Sequence, residues 1–254
     1  MDRLRDHRIL VTGAGSGIGR ATTQRLLAEG ARVVAADVSE EGLRDSPASK
    51  TITMDVADEA SVTAGTAAAI DHLGGLDVLV NAAGILLAEH THKTSLELWN
   101  RVLAVNLTGT FLVTRAALPA LLESGRGVVV NFSSTSASFA HPYMAAYCAS
   151  KGGIQAFTHA LALEYGKQGL RAVSIAPGSI KSGITDSAAS WLPQEVDFTL
   201  FGRLLPILPA DHTTPVGNAV AGPEAVAGVV AMVASEDGKF ITGTEIRVDG
   251  GTHT

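Results

Sequence analysis

Ile9-Leu-Val-Thr12-Gly-Ala-Gly-Ser-Gly17-Ile-Gly19 joins a short apolar run to a cluster of glycines, and a stretch rich in alanine and leucine begins at once behind it. The apolar run reads as a buried strand over 8–12 and the stretch behind it as a helix over 17–30. Gly13, Gly17 and Gly19 let the backbone come close to a ligand at the joint, where the first amides of the helix have no partner of their own and present positive partial charge. A pyrophosphate suits that corner. An ordinary glycine turn is the competing reading, because G-x-x-x-G-x-G is looser than the dinucleotide fingerprint with two closely spaced leading glycines.

The same alternation continues along the chain. Short β-branched runs near 8–12, 31–36, 51–54, 76–81, 127–132, 171–175 and 245–248 alternate with longer stretches at 17–30, 58–73, 95–121, 144–168 and 223–235 that read as helices. Several of the runs are apolar on both faces, which predicts a parallel sheet covered by helices and built from strand–helix–strand units. Pro223 opens the last helix and Asp237-Gly238 closes it. In the fourth, Ile154, Phe157 and Leu161 form a stripe for the core. The exception is 179–222, where Gly183, Pro193, Gly202, Pro206, Pro209, Pro215 and Gly217 interrupt what should be a short connection. Such length predicts a lid or binding excursion, and Trp191, Leu192, Phe198, Phe201 and Ile207 make it apolar enough for short helices that close over something. No second domain or internal repeat is legible, so residues 1–254 read as one domain.

Composition narrows the partners. The chain has 46% apolar residues, enough for an extensive core, and a formal charge of −6 with Lys and Arg scattered, which leaves no basic stripe for a nucleic acid or an anionic membrane. A small molecule is the expected partner. The start, Met1 to Arg8, lacks the apolar stretch of a secretory leader, and no segment reads as the roughly 18 apolar residues of a membrane span. Cys148 stands alone, which excludes an intrachain disulfide and fits a cytoplasmic, reducing compartment. With no base identifiable for it, Cys148 reads as packing. No metal is expected, since His90 and His92 lack the Cys or carboxylate that completes a recognised spacing.

Two further features give the glycine corner a chemistry. Asp37 ends the run Arg32-Val-Val-Ala-Ala-Asp37, where a carboxylate can accept both ribose hydroxyls and repels a 2′-phosphate. Ala14, Ser16 and Val38 supply no cation to offset that repulsion, which selects NAD over NADP. Farther along, Ser134 precedes Tyr147-Cys-Ala-Ser-Lys151. Tyr147 and Lys151, four apart, share one helix face, so the ammonium is expected to favour the phenolate and lower its pKa from the usual ~10. That is the layout of an acid/base pair beside a redox cofactor. A core tyrosine and a solvated lysine are the bland alternatives.

Over essentially its full length the chain resembles the short-chain dehydrogenase/reductase family. Thr12-Gly-x-x-x-Gly17-Ile-Gly19, Asp55-Val56, Asn81-Ala-Ala-Gly84, Asn106, Ser134, Tyr147-x-x-x-Lys151, Pro177-Gly178 and Asp249-Gly-Gly251 fall in family order. The resemblance implies a Rossmann-like, three-layer α/β/α fold around a doubly wound, parallel, seven-stranded sheet. It implies a cofactor held by Gly13, Ser16, Gly17, Ile18 and Gly19 at the pyrophosphate end, Asp37 at the ribose, and Asp55 and Val56 at the adenine. Asn81, Ala82, Ala83 and Gly84 then stabilise the strand beside the cofactor, and Pro177 and Gly178, with Ile180 and Ser182, flank the nicotinamide. Ser182 stands where the family carries threonine, so the hydroxyl is kept and a methyl lost.

The resemblance also assigns the catalytic set. Tyr147 exchanges the proton, Ser134 orients the substrate oxygen, Lys151 holds the nicotinamide ribose, and Asn106 holds a water that continues the proton path. Asn106 has a local reading as well, satisfying backbone carbonyls at a helix kink. Ser133 is the competitor of Ser134, and the family's spacing to Tyr147 selects Ser134. The expected activity is hydride transfer between NAD and a secondary alcohol or ketone with an apolar body. The alternative is a 3-oxoacyl-[acyl-carrier-protein] or 3-oxoacyl-CoA reductase, which generally uses NADPH and so sits badly with Asp37. A non-catalytic protein that keeps NAD as a ligand is the competing class. Ser136, Ala137, His141, Tyr143, Met144, Gly178, Ser179 and the excursion at 184–210 are expected to build the substrate pocket. The family pattern implies a homotetramer that pairs helices 95–121 and 144–168 across one two-fold axis and the strand near 245–248 across another, with Gly152, Gly153, Ala156 and Ala160 permitting close approach.

Overall fold

The computed structural model describes residues 2–182, 192–203, 206–209, 212–213 and 219–253. In β1 (Arg8–Thr12), Ile9 and Val11 join one buried cluster and Leu10 the other, the two-residue period of a strand covered on both faces. The same double burial holds in β2 (Arg32–Asp37), β4 (Val78–Asn81) and β5 (Val128–Phe132). With β3 (Lys50–Thr53), β6 (Arg171–Pro177) and, after a short antiparallel ribbon of β7 (His212–Thr213) and β8 (Ala219–Val220), the terminal β9 (Thr244–Val248), these strands form a seven-stranded sheet in the order β3-β2-β1-β4-β5-β6-β9. Every pairing in it is parallel. Strand order reverses between β1 and β4, and such a switch point opens a crevice at the carboxyl ends of the strands.

Helices α1 (Gly17–Ala28) and α7 (Glu224–Ala234) cover one face, bringing Leu26, Val226 and Val230 against Ile9, Val11 and Val33. On the other, α3 (Glu59–Leu73), α5 (Gly109–Glu123) and α6 (Ala145–Tyr165) bring Val62, Leu112, Leu121 and Leu161 against Leu10, Val34, Leu79 and Val129. The three-layer α/β/α architecture follows.

The seven strands of the sheet lie within two residues of where the sequence placed them at every end, whereas the β7–β8 ribbon was not expected. Three other local features differ. A one-turn helix α2 (Glu40–Leu43), capped by Ser39 whose Oγ accepts from the Gly42 amide at 3.0 Å, was not expected. The helix expected over 95–121 is α4 (Leu96–Leu103), a π-helical segment at Ala104–Thr108 and then α5. Its whole run, Leu96–Glu123, is long and apolar enough by length and composition to cross a membrane, which corrects the expectation that no segment comes near that limit. It packs between α3 and α6 as a core helix. Third, β3 is an edge strand with mostly exposed positions, unlike its neighbours.

At the end of the sheet opposite the crevice, Asp77 is inaccessible to solvent and takes Arg8 through Nε at 3.0 Å and Nη2 at 2.9 Å, and Arg126 through Nε and Nη2 at 3.1 Å. Burial alone would raise its carboxyl; these hydrogen bonds more than reverse that and hold it well below the usual carboxylate range. Arg3 likewise joins Glu29 at 2.7 Å and Asp237 at 2.9 Å, tying the first residues to the end of α1 and the turn after α7.

Candidate active site

The glycine corner is shaped so that side chains cannot enter it. A side-chain carbon on Gly13, whose φ is +65°, would stand 2.6 Å from the Ala83 nitrogen, and one on Gly19 only 2.1 Å from the Gly13 carbonyl oxygen. Ser16 occupies the N-cap of α1 without a side-chain cap, and the first turn carries no acid. The leading amides are therefore presented toward the crevice, where they suit a phosphate.

A cleft of about 520 Å³ runs from this corner. It is lined by Gly13, Ser16, Gly17, Ile18, Gly19, Asp37, Asp55, Val56, Ala82, Ala83, Gly84 and Ser182, twelve of the residues expected at the cofactor. Asp37 sits at its rim with both oxygens held: Oδ2 accepts from the Gly15 amide at 2.8 Å and Oδ1 from the Ser39 amide at 2.9 Å. Each oxygen keeps a second lone pair, so the carboxylate can still accept two hydroxyls. Among the lining residues the sequence reading missed Arg101, Ala104 and Val105 on the helix preceding Asn106. Their i, i+3, i+4 spacing was the signal available. Arg20 was missed too; its guanidinium is bonded to the Gly15 carbonyl and, at 3.1 Å, to that of Gly42, which fastens α2 to the glycine turn.

Not all expected cofactor residues line the cleft. Asn81 faces into the sheet, where its Nδ2 donates to Asn131 Oδ1 at 2.9 Å and Thr114 Oγ1 at 3.0 Å. Ile180 is buried in the core on the α1 and α7 side and forms a bridge with Ala221. Pro177 ends β6 opposite Val248, and the Gly178 amide donates to Val248 at 3.0 Å. A side-chain carbon at Gly178 would lie 2.7 Å from Asp249 Cβ, so that turn is closed against the Asp249-Gly-Gly251 segment.

The chemical groups come from three elements that end at the same level. Ser134 follows β5 in extended conformation and caps the short turn Thr135–Ala137, its Oγ accepting from the Ser136 amide at 3.2 Å. Ser133, one residue earlier, points the other way, with its Oγ 2.6 Å from Glu245 Oε2 and 3.1 Å from the Ile175 carbonyl. Alternation along the extended chain thus separates the two serines. Tyr147 and Lys151 lie in the first two turns of α6. Lys151 is 5% exposed; its Nζ donates to the Phe132 carbonyl at 2.7 Å and stands 5.5 Å from the centre of the Tyr147 ring.

Asn106, in the π-helical segment, has no solvent access. It pairs reciprocally with the Ile85 backbone, accepting at 2.8 Å and donating at 2.9 Å, and also donates to Ser150 Oγ at 3.1 Å. The helix is π-helical here, and the Asn106 amide does satisfy a backbone carbonyl, that of Ile85 in the loop after β4. A side-chain carbon at Gly84 would stand 3.4 Å from Asn106 Oδ1 and 3.7 Å from Lys151 Nζ, so both groups flank Gly84, which itself lines the cleft.

The expected pKa ordering is corrected. Burial pushes the Tyr147 phenol up to about 12, with the Ser134 hydroxyl opposing and Cys148 adding to the rise. Burial also pushes Lys151 down to about 8. Desolvation disfavours both charged forms and is the leading cause of each shift.

Of the residues expected at the substrate, His141 lies with Nδ1 3.1 Å from the Phe139 carbonyl and Nε2 3.5 Å from Thr135 Oγ1, and burial pushes its imidazole down. Met144 holds the N-cap position of α6 and is buried. Of the excursion at 184–210, residues 184–191, 204–205 and 210 lie outside the described residues, Trp191 among them. The stretch Phe198–Arg203 forms a short 3₁₀ helix, as its apolar pattern predicted. Among the described residues, no group of three or more His, Cys, Asp or Glu gathers as a metal site.

A family model described as short chain dehydrogenase matches residues 7–193. The chain is 35% identical over 98% of its length to 2-(S)-hydroxypropyl-CoM dehydrogenase 3 of Xanthobacter autotrophicus, covering 98% of that protein. It is 36% identical over 96% of its length to a meso-2,3-butanediol dehydrogenase of Serratia marcescens, covering 93% of it. Among solved structures, levodione reductase superposes with a TM-score of 0.87 at 32% identity, covering 98% of both chains.

Proposed function

The chain belongs to the short chain dehydrogenase family, and from that premise we propose that it moves a hydride between NAD and a secondary alcohol, or the matching ketone, carried on an apolar body. Membership makes it an oxidoreductase that uses a nicotinamide cofactor and acts on CH–OH groups. The observation that carries the reading is that Asn106 Oδ1 and Lys151 Nζ both flank Gly84, a residue of the glycine-lined cleft, with Tyr147 one helical turn from Lys151.

A bound nicotinamide supplies or accepts the hydride. Tyr147 Oη moves the proton, giving it to a ketone oxygen as phenol or taking it from an alcohol as phenolate. Ser134 Oγ orients the same oxygen and stabilises charge that develops on it. Lys151 holds a ribose hydroxyl in this reading, which the closeness of its Nζ to Gly84 supports, and it carries its charge below about pH 8. Asn106 fixes the loop after β4 through Ile85, and its oxygen lies by Gly84 as Lys151 Nζ does, which supports a role in the proton path.

NAD is supported by Asp37 on the cleft rim, with Glu40 and Glu41 in the first turn of α2 close behind it. A 2′-phosphate there meets acids, and Arg20 is engaged by two carbonyls. The apolar substrate body is supported by exposed Phe198, Leu200, Ile207 and Leu208 on the excursion. Relatives named for hydroxypropyl-CoM and butanediol favour alcohols and diols over the 3-oxoacyl thioester alternative. The lone Cys148 supports a cytoplasmic setting.

Initial rates with a panel of alcohols and ketones, each offered with NAD(H) and NADP(H), test the reading. The expected result is turnover of a carbon-rich secondary alcohol or diol with NAD, and a shift toward NADP when Asp37→Ala is combined with Val38→Arg. NADH binding with no turnover on any substrate, or equal or better kcat/KM with NADPH in the wild type, rejects it.

A further inference from the structure

Tyr143, four residues ahead of Tyr147, has a φ of +66°, a left-handed backbone that a bulky side chain rarely adopts. Its carbonyl oxygen accepts from the Glu89 amide at 2.8 Å and its hydroxyl oxygen from the Asp197 amide at 3.0 Å. Its ring lies edge-on to His90, centres 4.9 Å apart, and stacks with Phe201 at 6.1 Å. His90 reaches the same stretch: its Nε2 is 3.2 Å from the Gln194 carbonyl, which only accepts, so the ring presents an Nε2–H there.

These contacts gather three segments at one point. They are the loop after β4 that carries Ala82 to Gly84, the loop that leads into α6, and residues 192–203 of the excursion. Starting α6 does not demand them, because the helix begins at Ala145 and a glycine at 143 would take the same backbone without strain. Strained residues persist where their surroundings over-determine them, and they cluster at ligand clamps and switch regions. Here the surroundings are one backbone amide on the Tyr143 carbonyl, another on its hydroxyl, and two neighbouring rings. Phe198, 6.3 Å from Phe201, stays 64% exposed, so the latched stretch offers an apolar surface beside its own fastening.

We propose that Tyr143, with His90, is a positioning residue that latches residues 192–203 to the rim of the reactive site, so that a substrate with an apolar body is retained by the closed stretch as well as by Ser134 and Tyr147. The kinetic part rests on the dehydrogenase reading above. Tyr143→Phe removes only the oxygen that holds Asp197, His90→Ala removes the Gln194 contact, and Tyr143→Gly removes the ring while suiting the backbone better.

In each variant chymotrypsin should cut after Phe198 or Phe201 at least tenfold faster than in the wild type. KM for the best alcohol should rise at least fivefold with kcat within threefold, while NADH affinity, read by fluorescence titration, holds. Tyr143→Gly guards against misfolding: its Tm should equal or exceed that of the wild type while its KM rises, which a residue present only for packing would not allow. A wild-type cleavage rate or an unchanged KM in Tyr143→Gly overturns the latch. If the wild type turns over no alcohol, the dehydrogenase reading fails instead, and the cleavage rates alone then decide for or against the latch.

Discussion

Tyr147 holds its proton to about 12 while Lys151, the cation expected to draw that proton away, is itself pushed down to about 8. The two directions of reaction should therefore differ in pH dependence. With a ketone the protonated phenol is the working form, and the rate should stay level through neutrality. With an alcohol the phenolate is needed, so the rate should climb with alkalinity until Tyr147 has lost its proton. Lys151→Met should weaken NADH affinity, while the alkaline limb of the alcohol profile should hardly move, because Lys151 is itself neutral above about pH 8. Tyr147→Phe keeps the ring and should cost roughly 10²–10⁴ in turnover without loss of NADH binding. Near-native turnover in a folded Tyr147→Phe protein would falsify the proton-transfer assignment. At this scale residue types and order were legible from sequence, because Tyr147, Lys151, Ser134 and Asn106 stand at fixed spacings. Their ionisation was not. Whether a lysine four residues from a tyrosine lowers its pKa depends on how much water both keep, and burial here reverses the sign expected from charge alone.

β1, β4 and the turn into β5 are fastened together by one carboxylate, Asp77, which receives Arg8 and Arg126. Asp77→Asn leaves two guanidinium groups facing a neutral amide. Breaking a buried ion pair costs about 3–5 kcal/mol, and because Arg8 and Arg126 are partly open to water the lower end is expected. The folded-state pKa of Asp77 is depressed, so this stabilisation is full above the unfolded value of roughly 4 and is lost as pH falls toward the folded value. Chemical denaturation at pH 7 should show the full deficit for Asp77→Asn, and in strong acid the two proteins should converge. A constant deficit down to low pH would mean that the carboxylate's charge does not matter. The strands of this sheet were legible because burial on both faces leaves continuous apolar runs. Neither the β7–β8 ribbon nor two further elements were. Helix α2 is four residues long and rests on the Ser39 cap and the approach of Gly42 to Gly15, neither of which makes a periodic pattern. The π-helical segment depends on the pairing of Asn106 with Ile85, a contact between residues 21 apart that no local periodicity encodes.

The assembly proposed for the whole molecule is a homotetramer. On α6, Leu163 is exposed beside Ala156 and Ala160, while Gly153 is spent inside the chain, since a side-chain carbon there would meet Leu107 at 2.7 Å. At the other end, β9 has a single neighbour in the sheet, and Phe240 just before it is fully exposed. Open edges and bare aromatics of this kind are usually covered. Light scattering at micromolar concentration should give the mass of four chains, and Phe240→Asp with Leu163→Glu should lower it. A monomeric wild-type mass rules the assembly out. The switch point has a consequence of a different kind. Within the sheet, β3-β2-β1 and β4-β5-β6-β9 share only the four-rung ladder from Ile9–Val78 to Thr12–Asn81, and the cleft lies across that seam. A dinucleotide lying in it would act as a brace between two half-sheets. A chain nicked at Gly74-Gly75, the turn that joins the halves, should then depend on NAD to stay associated more than the intact chain depends on it to stay folded.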